Sequence, residues 1–178
     1  MQAGEEAGSI EGAKVAVATF EAVIAEAVIK AAELVGFEIA GELGVAAAKS
    51  TALEAGKKAG AACAEALGAS IGAEVGRIAG AQGASVAAAE ELAKMNMNEI
   101  TEEKAAELKG QFVELGKNVG GATGAKAAAE AAKDIDIAAV LREAEAAAKE
   151  AAEEGALLAK LLVDAANDEA RQIGKLIV

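Results

Sequence analysis

Apolar side chains recur at intervals of three and four residues near the start of the chain. Between residues 10 and 35 the pattern comprises Phe20, Val23, Ile24, Ala27, Val28, Ala31, Leu34 and Val35. This spacing places them along one side of a helix, and Glu26 and Lys30 form a favourable pair one turn apart. Three glycines follow, Gly36, Gly41 and Gly44, and each costs up to about 1 kcal/mol relative to Ala inside a helix. We predict an amphipathic helix over 10–35 and a turn or kink between Gly36 and Gly44.

A row of small residues continues at every fourth position after this turn. Beginning at Gly36, it contains Ala40, Gly44, Ala48, Ala52, Gly56, Gly60, Ala64, Gly68, Gly72, Gly76, Gly80, Ala84 and Ala88. Small residues let a second helix approach closely. Four residues turn a straight helix by about 400°, so the row rotates around the helix and we expect different parts of it to contact different neighbours. The candidate helix-packing residues are Gly56, Gly60, Gly68, Gly72, Gly76 and Gly80.

Two polar signals predict the starts of further helices. Thr101, followed by Glu102 and Glu103, is expected to cap a helix over 102–117, with Ile100 packing back on its first turn. The glycine-rich segment 118–124 is expected to end that helix, and a short helix through residue 133 should follow.

The second start signal is Asp136, which we expect to cap a helix over 137–154. Ile135 should pack forward on Val140, and Gly155 should break the helix. In the final segment, the apolar residues lie along one helical face and predict a helix that docks on the rest of the protein. These residues are Leu158, Leu162, Ala165, Ile173 and Ile177.

Composition narrows the fold class to all-α. Ala supplies 52 of the 178 residues, and the sequence contains no Pro, Trp, Tyr or His. Ala is the strongest helix former, and the β-branched and aromatic residues that favour strands are a minority. We predict a compact helical bundle with close Ala/Gly-mediated helix packing. A single domain over 1–178 is favoured, with 1–97 and 98–178 as alternative sub-units.

The charge balance argues against several classes of partner. Acidic residues outnumber basic ones by 29 to 17, for a formal net charge of −12, which repels nucleic acid and anionic membranes. Charged residues interrupt every long apolar stretch, so we expect no stable membrane insertion. The N-terminus lacks the pattern of a signal peptide. These features predict a soluble protein, compatible with the cytoplasm.

The sequence offers little catalytic chemistry. Without His, the commonest general base and most transition-metal ligand sets are missing. Gly116 and Lys117 lack the spacing of a phosphate loop, and Cys63 lies among alanines, where we expect a buried core residue. We therefore predict no catalytic, cofactor-binding or metal-binding residue and no cofactor. Acid–base chemistry by buried carboxylates and lysines remains an alternative.

Two alanine-rich tracts, 119–126 and 142–154, resemble helical stretches of the RIFIN variant surface antigens of malaria parasites. That resemblance implies an exported helical domain that binds host immune receptors. The sequence departs from the family in lacking its cysteine framework, tyrosines, terminal membrane span and basic tail. The Ala/Glu/Lys surfaces and helix caps also resemble computationally designed or model-generated helical proteins, although the many glycines depart from that habit.

These observations predict a non-enzymatic helical scaffold, of natural or designed origin. The first alternative is an interaction module that associates with itself or with a helical protein partner through the small-residue row around Gly56 to Gly80. A glycine-zipper protein with conditional membrane activity is a further alternative.

Overall fold

The computed structural model describes residues 2–95 and 101–177, with side chains through residue 172. Helix α1 spans Gln2–Ala93, α2 spans Glu102–Ala131 and α3 spans Ile137–Ile177, with a 3₁₀ turn at Ala132–Asp134. The described residues contain no strand. The prediction of an all-α fold is confirmed.

Helix α1 is divided by a sharp turn. Ala40 has φ −142° and ψ 21°, and Gly41 has φ 59° and ψ −146°. Gly41 occupies a backbone region that side chains strongly disfavour, and a Cβ atom there would meet nothing within 4 Å. Glycine is therefore required at position 41 because of the backbone conformation there, and not because neighbouring atoms leave no room for a side chain. The predicted turn between Gly36 and Gly44 is confirmed, and we call residues 2–39 the first arm and residues 42–93 the second arm.

The chain groups into two compact units. Unit 1 contains Met1–Thr19 and Ala64–Ile135, and unit 2 contains Phe20–Cys63 and Asp136–Val178. Both units thus combine parts of the first and second arms with a later helix. This grouping does not coincide with a division near residue 97, and the single domain over 1–178 remains a prediction.

In unit 1, the two arms run antiparallel with glycines opposite each other. Gly4 lies against Gly76, Gly8 against Gly72, and Gly12 against Gly68. For every four residues towards the C-terminus on the first arm, the contacting residue on the second arm lies four residues closer to the N-terminus. Helix α2 joins the same contact, because Gly120 lies against Gly80 and Gly124 lies against Gly4 and Gly76.

Unit 2 has the same antiparallel register with larger side chains. Val28 lies against Gly56 and Ile24 against Gly60, while Gly36 and Gly44 meet near the turn. The N-terminal half of α3 packs on the second arm, with Ala144 and Ala148 beside Gly56. Asp136 accepts a hydrogen bond from the Ala138 amide at 3.0 Å, which confirms the predicted cap of α3.

Burial follows a four-residue period in both units. Buried residues of the first arm include Ala16, Phe20, Ile24, Val28 and Ala32, and those of α3 include Val140, Ala144, Ala148, Ala152 and Ala156. A period longer than 3.6 residues makes the buried stripe rotate along the helix, so neighbouring helices keep contact with it by wrapping in the right-handed sense. The core is consequently a set of narrow, twisting seams lined mainly by alanine and glycine.

Two predicted helix ends are wrong. Helix α2 starts at Glu102 with Thr101 as its cap, as predicted, but continues through Gly120 and Gly124 to Ala131. Helix α3 continues through Gly155. All three of these glycines are buried against another helix, and that packing outweighs their low helix propensity. The expected contact of Ile100 lies outside the described residues.

The prediction that the final segment docks is also wrong for the side chains described. Leu158 is 61% exposed and Leu162 is 72% exposed. The buried stripe of α3 ends at Ala156, and the described positions after it are exposed or partly exposed.

Candidate helix-packing site

Three of the candidate glycines bring two helix backbones into contact. A Cβ atom on Gly72 would meet the carbonyl group of Gly8 and would lie 3.2 Å from the Cα of Gly12. A Cβ on Gly76 would meet the carbonyl of Gly4 and lie 2.9 Å from the Cα of Gly8. A Cβ on Gly68 would likewise meet the carbonyl group of Gly12, and it would lie 2.7 Å from the Cβ of Ala16. Because the neighbouring atoms belong to a helix backbone, they cannot turn aside as a side chain can.

Gly80 lies where the two arms and α2 meet within unit 1. A Cβ atom on Gly80 would lie 2.6 Å from the carbonyl oxygen of Gly120 and 2.9 Å from the Cα of Gly4. On the other side of the junction, a Cβ on Gly124 would lie 2.7 Å from the carbonyl oxygens of both Gly4 and Gly76. The junction therefore has room for three helix backbones and for no side chain.

The other two candidate glycines, in unit 2, receive aliphatic side chains. A Cβ on Gly56 would lie 2.5 Å from Val28 Cγ2, and a Cβ on Gly60 would lie 2.8 Å from Ile24 Cγ2. Both positions also contact α3, where the Cβ of Ala144 would lie 2.9 Å from a Cβ on Gly60. Each glycine is thus a notch that admits a branched side chain, and Val28 is fully buried there.

The neighbours of the small-residue row are partly shared and partly different. The candidate glycines contact the first arm in both units, whereas the second neighbour changes along the row, as expected. The right-handed wrap implied by the burial period explains how the first arm keeps contact with a rotating stripe. Helices α2 and α3 add second contacts in units 1 and 2 respectively.

Several packing glycines were absent from the sequence-based candidates. Gly4, Gly8 and Gly12 form a row at every fourth residue, as do Gly120 and Gly124 with Ala128 and Ala132. All of these residues are buried. Their four-residue spacing was the available signal, and it is the same spacing that marks the second arm.

Gly155 admits a polar contact between helices of unit 2. The hydroxyl of Thr51 donates a 2.6 Å hydrogen bond to the carbonyl oxygen of Ala151 on α3. A Cβ on Gly155 would lie 2.5 Å from that hydroxyl oxygen and 2.8 Å from the carbonyl oxygen of Ala47. Glycine is thus required at this position so that Thr51 can reach the α3 backbone.

Charged side chains lie on the surfaces of the units. No charged or polar residue is buried among those with described side chains. Lys30 donates a hydrogen bond to Glu26, and this bond lowers the pKa of Glu26 and raises the pKa of Lys30. A hydrogen bond to Glu74 raises the pKa of Arg77 in the same way. In unit 2, Lys49 and Glu33 form a 2.6 Å ion pair between the two arms.

The remaining residues considered for chemistry are scattered. Gly116 and Lys117 lie inside α2 and not at its C-terminus as predicted. Cys63 is partly buried, which is less than predicted. Within the described part of the chain, no cluster of three or more metal-ligating side chains is present.

Comparison with protein-family models, curated proteins and solved structures gave no significant match. The resemblances to RIFIN helical stretches and to designed helical proteins therefore remain predictions. Among the described residues, no helix combines the length and apolar character needed to cross a membrane.

Proposed function

We propose that the protein is a non-enzymatic helical scaffold whose property is the close, fixed spacing of its helices. The observation that supports this proposal is the use of glycine as a contact surface within each unit. Gly68, Gly72 and Gly76 lie directly on the backbone of the first arm. Helices in such contact have few alternative packing arrangements, because any side chain inserted between them would force the backbones apart.

The position of the charged groups also supports a scaffold. Catalytic acids and bases are usually tuned by burial or by a like charge nearby. The pKa shifts of Glu26, Lys30 and Arg77 arise instead from exposed hydrogen-bonded pairs one helical turn apart. Such pairs are common on helix surfaces and contribute to solubility and helix stability.

Circular dichroism with urea unfolding tests the scaffold proposal. A scaffold held by continuous seams should unfold cooperatively, with a steep dependence on urea concentration. A gradual loss of helix signal without a baseline for the native state would contradict it.

A helix-mediated interaction module is the second candidate. The six candidate glycines are buried in contacts within the chain, so the feature that favours interaction is a different one. It is the set of exposed leucines after Ala156, with exposures of 51% to 72% for Leu157, Leu158, Leu161 and Leu162. Exposed apolar clusters of this kind mark interaction surfaces. Molar mass measured by light scattering tests the self-associating form of this candidate.

A further inference from the structure

Helix α3 extends past the end of the second arm, on which it packs in unit 2. Thr51 bonds to Ala151, and Gly155 lies against Ala47, so each later residue of α3 is level with an earlier residue of the second arm. By this register, residue 162 is level with the turn at Ala40 and Gly41. The part of α3 after residue 162 runs on for about 20 Å at 1.5 Å per residue.

Residues 157–163 of α3 carry the densest group of large aliphatic side chains in the sequence. Leu157, Leu158, Leu161, Leu162 and Val163 fall within seven residues, and all five are exposed by more than a third. On a helix of 100° per residue, the four leucines and Ala165 share one face. We call these five residues, Leu157, Leu158, Leu161, Leu162 and Ala165, the leucine face.

The charge around the leucine face differs from that of the rest of the chain. Residues 157–178 contain three acidic and three basic residues, so residues 1–156 carry the whole net charge of −12. Two copies of the protein repel each other over most of their surfaces. The final segment is one part of the chain that two copies can bring together without this repulsion.

One flank of the leucine face carries charges of both signs. Lys160, Asp164, Asp168 and Arg171 lie on the same side of it. In an antiparallel pair of identical helices, equivalent flanks face each other, so Lys160 of each copy meets Asp164 of the other when the symmetry axis passes near Leu162. Among the described residues, Arg171 pairs with Asp168, and Lys160 lies four residues before Asp164, the less favourable order for an ion pair within one helix.

We propose that the leucine face is the interface of an antiparallel homodimer, with a second copy of this chain as its occupant. With the axis near Leu162, Leu161 and Leu162 of the two copies cover one another, and Leu158 of each copy lies over Ala165 of the other. Lys160 and Asp164 of opposite copies pair at the edge. This inference rests on the second candidate, the self-associating form of an interaction module, and does not depend on the scaffold role.

Sedimentation equilibrium across the micromolar range tests the dimer. The wild-type protein should have about twice the chain mass of 17.5 kDa. The double variant Leu158→Glu, Leu162→Glu should dissociate at least about tenfold more readily. Its matched control is Ile10→Glu, Val86→Glu, since those residues are 57% and 59% exposed on the arms, and it should remain dimeric. Circular dichroism should show that both variants retain the wild-type helix content.

A charge exchange tests the antiparallel arrangement. Lys160→Glu should weaken association, because it places two acids opposite each other, and the double variant Lys160→Glu, Asp164→Lys should restore it. A monomeric wild type, a dimer insensitive to the leucine substitutions, or an exchange that fails to restore association would each overturn the proposal. A monomer that binds phosphatidylcholine vesicles through these leucines would overturn it too, because its occupant would then be a lipid surface.

Discussion

The two units use the same antiparallel register to build different interiors. In unit 1, glycine meets glycine, as at Gly8 and Gly72, and the contact is between backbones. In unit 2, glycine meets a branched side chain, as at Gly60 and Ile24. Side chains can change rotamer when a neighbour grows, whereas a helix backbone moves only as a whole. Equal substitutions should therefore have unequal effects in the two units.

The largest effect is expected from Gly72→Leu in unit 1. The new side chain would have to displace the backbone of the first arm around Gly8 and Gly12. Overpacking typically costs about 1 to 3 kcal/mol and occasionally more, and we expect a loss at or above the upper end of that range because a backbone must move. Urea unfolding followed by circular dichroism measures the change in the free energy of unfolding. An unchanged unfolding midpoint would mean that Gly72 does not face another backbone.

A somewhat smaller effect is expected from Ile24→Ala in unit 2. Ile24 is 2% exposed and fills the notch at Gly60, so truncation removes buried apolar atoms and leaves a cavity. Such truncations cost about 2 to 4 kcal/mol. Ile10→Ala is the matched control, because the side chain of Ile10 is exposed. It should change the free energy of unfolding far less in the same urea titration. Equal losses for the two variants would contradict the notch described for unit 2.

Features set by local sequence were predictable, and these include the caps and the turn. Thr101 and Asp136 satisfy amide groups within three residues, and Gly41 adopts a backbone conformation that depends on its own lack of a side chain. No distant residue is needed to explain them. Sequence reasoning found both caps, and it placed the turn between Gly36 and Gly44 without singling out Gly41.

The other glycines could not be assigned from sequence because their role depends on a partner elsewhere in the chain. Gly120 and Gly155 have the local character of helix breakers, yet each lies inside a helix where another helix approaches. Likewise, the apolar periodicity around Leu158 and Leu162 predicts a helix face, but it does not reveal that this face lies on the side of α3 opposite its buried stripe. Both outcomes depend on which face of a helix is covered by a distant segment of the chain.

The smallest effect is expected from the surface ion pair of Glu26 and Lys30 in unit 2. The pKa of Glu26 is lowered in the folded state, so the pair stabilises the fold above the ordinary pKa of a glutamate, and its contribution is lost as the pH falls through the lowered pKa. Glu26→Gln should therefore reduce stability slightly near neutral pH, as measured by urea unfolding. The difference from wild type should shrink as the pH falls through the lowered pKa of Glu26. A difference that grows on acidification would show that Glu26 acts through something other than Lys30.

The most direct test of the contrast between the units is a set of three glycine-to-alanine substitutions measured by urea unfolding. Gly72→Ala should destabilise the protein by about 2 kcal/mol or more, because the added methyl group meets the first-arm backbone. Gly60→Ala should cost less, because Ile24 can shift. Gly110→Ala is the matched control: a Cβ there would meet nothing within 4 Å, so the substitution should stabilise the protein by about 0.5 to 1 kcal/mol through helix propensity. A Gly72→Ala variant as stable as Gly110→Ala would contradict the account of backbone contact in unit 1.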